Sequence, residues 1–308
     1  LKRANFFLCL VGLILLCSHV TVFMMTPPAR IFLVDNGSLR ADAVLALRGI
    51  AAQLSKQVGR TVEPVSLLHS SKVPVAELEG EPAKVVRPTL RRYIEAGERA
   101  FILVPMFLGP SRAISEYLPE LITGARELAP DVTIVVAETL AGADPDRPDL
   151  RLAAMLAAHV RQTIERSDLA QPRVALVDHG TPAEEVNRVR NAVARQLAQL
   201  LDGEVAAVAA CSMERREGPE YDFNEPLLER IDQLAGWTAA DVIVALFFLL
   251  PGRHAGDAGD VAEICDDLIQ RQVLKSAVRT PLLHMHPLLV DMLTDRLNAA
   301  LVEYESID

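Results

Sequence analysis

The sequence predicts an α/β protein of two tandem domains, each a small parallel sheet with helices on both faces. Three observations carry this expectation. Short, continuously apolar segments alternate with stretches of helical period, the pattern of strands buried on both faces and joined by crossover helices. The segments also recur at a nearly constant displacement, 143 residues from Asp35 to Asp178 and 141 from Phe107 to Phe248, which marks an internal duplication. Finally, 308 residues give room for two domains of ordinary size.

The elements follow in order. Lys2 and Arg3 precede an apolar run over residues 6–16. Residues 1–25 read as an upstream extension, with Met24 or Met25 as the true start, or else as a signal or membrane anchor. In the first case the protein is cytoplasmic and no membrane is involved. Residues 26–168 form the first domain. Its first strand, RIFLVD, leads through Asn36-Gly37-Ser38 to a helix with Val44, Leu47, Leu54 and Val58 on its buried face. Residues 169–308 form the second, after a break at Ser167, Asp168 and Pro172. Its strand RVALVD leads through His179-Gly180 to Thr181-Pro182-Ala183-Glu184, a capping-box pattern, then a helix with Val186, Val189, Val193, Leu197 and Leu200 inward. A second strand is expected over residues 204–213. Residues 100–108 match 241–249 as third strands, and 132–137 match 280–285 as fourth strands.

Composition narrows the function. A formal net charge of −10 and 5% aromatics exclude a general nucleic-acid binder, which needs a basic field and stacking surfaces. Cys9, Cys17, Cys211 and Cys265 form no CxxC pair. That argues against a zinc ribbon, an iron–sulfur cluster or a disulfide scaffold, and suits a reducing compartment.

Ligands of open parallel sheets sit outside the carboxyl ends of the strands. Three residues of the second half lie there: His179 after the first strand, Glu214 after the second, and His254 after the third. Two imidazoles and a carboxylate suit a borderline divalent cation. Each histidine taken alone reads more readily as a cap on a strand end or loop carbonyl, and three candidates at matching strand ends shift the reading toward a site.

VDHGTPAEEVNRVR, LFFLLPGRHAGDAGDV, the intervening CSMERREG…NEPLLERIDQLA and the closing HMHPLL resemble the sirohydrochlorin cobalt/ferrochelatase family, CbiX/SirB-like class II chelatases in their two-domain form. The resemblance begins near Arg30 and runs in two copies, the second the closer. It implies two chelatase-like domains and insertion of a divalent metal into sirohydrochlorin, in siroheme or cobalamin biosynthesis. It places the family's metal-binding and catalytic His, Glu and His on His179, Glu214 and His254, with Glu217 and Glu225 as alternatives for the carboxylate. Arg253, Gly252 and Arg215 become candidates for binding the polycarboxylate macrocycle. No tightly bound cofactor is implied; the metal, Co²⁺, Fe²⁺ or Ni²⁺, is a substrate. A metal or tetrapyrrole carrier without turnover is the competing reading.

The first half carries Asn36, Leu68 and Ala113 at the three matching positions, with His69 as a loop histidine. One site per chain is therefore expected, with the first half degenerate and serving as a wall of the cleft. The simplest two-domain members would carry the motif in their first half. Arg188 and Arg190 are expected to be solvated surface arginines. Gly252, Gly256 and Gly259 are expected to make the loop around His254 flexible. His284 and His286 are expected on one face of the last strand, closing it.

Overall fold

A computed structural model describes residues 28–307. The segment expected as an extension or anchor lies outside the described residues. Among the described residues, no helix is long and apolar enough to cross a membrane.

Among the described residues, eight strands form two separate sheets. The first holds β1 (Arg30–Asp35), β2 (Val62–Ser66), β3 (Ala100–Pro105) and β4 (Thr133–Val136) in the order β2-β1-β3-β4, all parallel. The second holds β5 (Arg173–Asp178), β6 (Ala207–Ser212), β7 (Asp241–Leu246) and β8 (Ser276–Arg279) in the order β6-β5-β7-β8, again all parallel. The α/β class and the parallel duplicate sheets are as the sequence predicts.

Helices α1 (Ala41–Val58), α2 (Val86–Glu95), α3 (Leu118–Leu128) and α4 (Leu150–Ser167) belong to the first half. The second half has α5 (Glu184–Leu200), α6 (Asp260–Gln270) and α7 (Leu288–Glu305). The counterpart of α2 is missing there; two short 3₁₀ turns, Pro219–Asn224 and Leu228–Gln233, take its place.

Strand residues alternate between two cores because side chains leave a strand on alternate faces. Ile31, Leu33, Ile102 and Val104 join a central cluster, while Phe32, Val34, Phe101 and Leu103 join an outer one. The second sheet repeats this, with Val174, Leu176, Ile243 and Ala245 in the same central cluster and Ala175, Val177, Val242 and Val244 in their own outer one. The two sheets therefore share one continuous apolar core, filled between them by α1, α4, α5 and α7.

The last helix of each half crosses over. Helix α4 packs on β7 and β8 beside α5, whereas α7 packs on β3 and β4 beside α1. Polar contacts lock the exchange. Arg296 of α7 donates to the carbonyls of Thr139 and Leu140, both at 3.1 Å, and Arg151 of α4 pairs with Asp295 at 2.6 Å.

Three local expectations are corrected. Helix α5 starts at Glu184 rather than at Thr181. The Thr181 hydroxyl accepts from the Ala183 N–H at 3.0 Å, a tight turn that delays the helix, and the Ala183 cap position makes no side-chain bond. The fourth strand of the second sheet is Ser276–Arg279, upstream of residues 280–285. The apolar residues there enter a 3₁₀ turn, Leu283–Met285, so His284 and His286 lie beyond the strand. The loop around His254 is held in place: Gly256 N–H donates to Gly252, Gly259 to Gly256, and Arg279 to the carbonyls of Gly256 and Asp257.

Candidate metal-handling site

The site is assembled at the carboxyl ends of β5, β6 and β7. Gly180, directly after His179, has φ +92°, a conformation that L side chains rarely adopt. A Cβ there would lie 1.8 Å from the Glu214 carbonyl oxygen. Only glycine lets the two loops touch. Their backbones are bonded directly, Met213 N–H to Asp178 at 2.8 Å and Glu214 N–H to His179 at 3.2 Å. The backbone thus brings the first histidine and the carboxylate side by side.

His179 Nε2 lies 3.3 Å from Glu214 Oε1, and the His179 and His254 rings meet edge-to-face with centroids 4.4 Å apart. The three residues named from the sequence therefore converge. His179 Nδ1 is 3.0 Å from the Gly180 carbonyl, and His254 Nδ1 is 2.7 Å from Asp260 Oδ2. Carbonyl and carboxylate oxygens only accept, so in each neutral ring Nδ1 carries the proton and Nε2 is left with its lone pair. His179 Nε2 then faces a carboxylate oxygen, acceptor against acceptor. A proton or a metal cation between them removes the repulsion. The side chains are partly open to solvent, at 45% for His179, 58% for Glu214 and 33% for His254. Among the described residues, no group of three or more His, Cys, Asp or Glu side chains is arranged, as it stands, to hold a metal ion.

The alternative carboxylates are placed elsewhere. Glu225 pairs with Arg215 at 2.9 Å and accepts the Leu227 N–H at 3.1 Å, and Glu217 is exposed on the loop. Arg215 also pairs with Asp222 at 2.9 Å and donates to the Gly218 carbonyl, so its guanidinium braces the 214–225 loop instead of standing free. Arg253 is 80% exposed, 3.7 Å from Asp260. Gly252 opens the His254 loop and accepts from Gly256.

Below the site lies a buried polar cluster that the sequence reading missed. Arg190, expected at the surface, is 1% exposed. It pairs with Asp178 at 3.5 Å, bonds the Ser212 hydroxyl, and donates to the Asn224 carbonyl at 3.3 Å. Ser212 donates to Asp178 at 2.7 Å, and the Asn224 side chain accepts Thr181 N–H at 3.0 Å and donates to the Thr181 carbonyl at 2.9 Å. The strand end carrying His179 is thereby tied to the next strand and to the loop beyond it. A signal existed: Arg190 lies four residues after Val186 and three before Val193, on the inward stripe of the helix. Arg188 is exposed, as expected. It binds Asp146 of the first half, with Nε to Oδ1 at 3.0 Å.

Other polar residues lie outside the site. His284 Nδ1 donates to the Leu249 carbonyl at 3.0 Å, and His286 Nδ1 accepts the Leu288 N–H at 3.2 Å at the start of α7. Burial lowers the affinity of His284, His286 and His159 for protons; for His159 the neighbouring His286 adds to this. Cys211 and Cys265 are buried free thiols, pushed up to about 12 and about 11 by desolvation, and are inert core residues.

Residues 173–300 match the family described as CbiX. The second half of the chain is thus similar to the CbiX family. That half is the one that carries the His179, Glu214 and His254 cluster. The whole fold resembles SirB from Bacillus subtilis with Fe³⁺, at a TM-score of 0.62 and 15% identity over 91% of this chain and 98% of that one. SirB from the subspecies spizizenii in complex with cobalt gives the same score and identity over 88% and 94%. A structure of CbiX, described as the terminal enzyme for biosynthesis of siroheme in denitrifying bacteria, matches at 0.54 and 18% over 88% and 99%. These likenesses establish a shared fold. No curated protein matches the sequence.

Proposed function

We propose that this chain is a chelatase that inserts a divalent metal, Co²⁺ or Fe²⁺ with Ni²⁺ as a further candidate, into sirohydrochlorin on the way to siroheme or cobalamin, in the cytoplasm. One observation carries the reading: two imidazoles, each with Nδ1 tied back, meet edge-to-face at a partly open strand-end site, and Nε2 of His179 faces the Glu214 carboxylate. The similarity to SirB structures holding iron and cobalt supports it.

Insertion is a ligand exchange. The ion must be held by few protein ligands, lose water, and pass to four ring nitrogens while two pyrrole N–H protons leave. His179 Nε2 and His254 Nε2 offer neutral nitrogen, and Glu214 supplies charge balance. A site with two or three protein ligands leaves coordination positions for water and then for the macrocycle. As the metal moves onto the ring, the lone pairs of Glu214 and the vacated imidazoles take up the released protons. The exposed Arg253 is the guanidinium best placed to meet a peripheral carboxylate. The Asn36, Leu68 and Ala113 positions carry neither imidazole nor carboxylate, so the reaction is assigned to the second half, residues 169–308, and the domain over 26–168 forms the opposing wall.

The deciding experiment is an anaerobic insertion assay with sirohydrochlorin and Co²⁺ or Fe²⁺. A metal-dependent change in the absorption spectrum, with many turnovers per chain, is the expected result. Binding of metal or tetrapyrrole without turnover overturns it in favour of a carrier.

A further inference from the structure

We propose that Asp260 is the positioning residue of His254, fixing the tautomer and direction in which that ring offers its nitrogen to the metal. This rests on the chelatase reading of the site. The Asp260 carboxylate receives the Nδ1 proton of His254 at 2.7 Å, the shortest contact made by either site imidazole. With Nδ1 committed, the ring offers only Nε2.

The surrounding backbone is built to keep this pair in register. Asp260 N–H donates to the Arg253 carbonyl at 3.3 Å, and Val261 N–H donates to the His254 carbonyl at 3.1 Å. The loop bearing the ring is thus bonded to the first turn of α6, the same turn that supplies the carboxylate. Gly259 makes the approach possible. A Cβ at that position would lie 2.6 Å and 2.7 Å from the Arg253 and His254 carbonyl oxygens. Glycine here serves close packing, and the loop stays on its helix.

The duplicated half gives an independent comparison. At the 141-residue displacement that sets Ala113 against His254, Pro119 stands against Asp260, within a helical segment that already opens with the π-helical turn Ala113–Tyr117. Carboxylate and imidazole are present together in one half and absent together in the other. His179 differs from His254 in this respect, since its Nδ1 proton goes to a backbone carbonyl that no side-chain substitution removes.

The test uses the full chain with Co²⁺ alone as probe. In the metal-free wild type, nitrogen NMR of ¹⁵N-histidine is expected to show His254 protonated on Nδ1. Asp260→Ala should lose that preference and bind Co²⁺ about 100-fold more weakly, and the isosteric Asp260→Asn about 10-fold more weakly. Combining Asp260→Ala with His254→Ala should be no worse than His254→Ala alone. An Nε2-protonated His254 in the wild type overturns the proposal. So does unchanged Co²⁺ affinity in both Asp260 variants while His254→Ala loses binding. Should His254→Ala also bind Co²⁺ normally, the metal site itself is refuted, and the positioning role with it.

Discussion

The loop after β1 and the loop after β5 share one backbone path and carry different chemistry. Gly37 and Gly180 both have φ +92°, and a Cβ on either would lie 1.8 Å from the carbonyl oxygen of the facing loop, Leu68 in one case and Glu214 in the other. Leu67 N–H reaches Asp35 and Met213 N–H reaches Asp178 at the same 2.8 Å. On this common frame the first half sets Asn36, Leu68 and Ala113, and the second sets His179, Glu214 and His254. Beneath the frame the halves diverge again. Asp178 has Arg190 as a buried partner. Asp35 has Leu47 at the matching helix position, its Oδ1 finds no hydrogen-bond partner, and desolvation pushes its carboxyl up to about 6. The comparison teaches that one sterically demanded frame can carry ligands in one half and none of the same type in the other.

Six substitutions break or sharpen this contrast. The largest effect is expected at the ligands. His179→Ala and His254→Ala should each reduce metal insertion more than about 100-fold, while Asn36→Ala leaves the rate unchanged, as read in the sirohydrochlorin assay. Arg190→Ala should follow. It leaves the Asp178 carboxylate buried without its cation, at a cost of about 3–5 kcal/mol by denaturant titration.

Asp35→Asn should go the other way. The folded-state value of about 6 lies above the ordinary 3.8. The folded chain therefore holds the extra proton between those values, and stability falls as pH rises through that window. Above pH 6 the buried charge exerts its full penalty. Asparagine should then stabilise the protein by about 2–3 kcal/mol, with the gain vanishing below about pH 4. A chemical-denaturation series from pH 4 to 8 checks both sign and window. The smallest effect is expected from Leu68→Glu. That side chain is 38% exposed, so stability should stay within about 0.5 kcal/mol in thermal melts.

Much of this was legible in the chain. The apolar RIFLVD and RVALVD runs, each followed by a polar residue and glycine, announced parallel strands and their ligand-binding ends. His179, Glu214 and His254 followed from that rule and from the family resemblance. Three kinds of information were hidden. Residues 280–285 are as apolar as a strand, and only sheet register places the strand four residues earlier. Arg190 occupies an inward helix position, but its charge argued for the surface until a buried acid from a neighbouring strand explained it. Asp260 is ordinary as a helix-opening acid, and its tie to His254 depends on how closely Gly259 lets two backbone segments approach.

The exchange of α4 and α7 has a consequence for how the duplicated chain can be dissected. Residues 169–308 expressed alone would keep a sheet whose inner face has lost α4 and a closing helix with no sheet to lie on. Two such fragments could satisfy each other only by trading their final helices. The single polypeptide performs that trade within itself, which makes the repeats a weave that cannot be unpicked at the connection over residues 168–172, although that surface stretch should tolerate being lengthened.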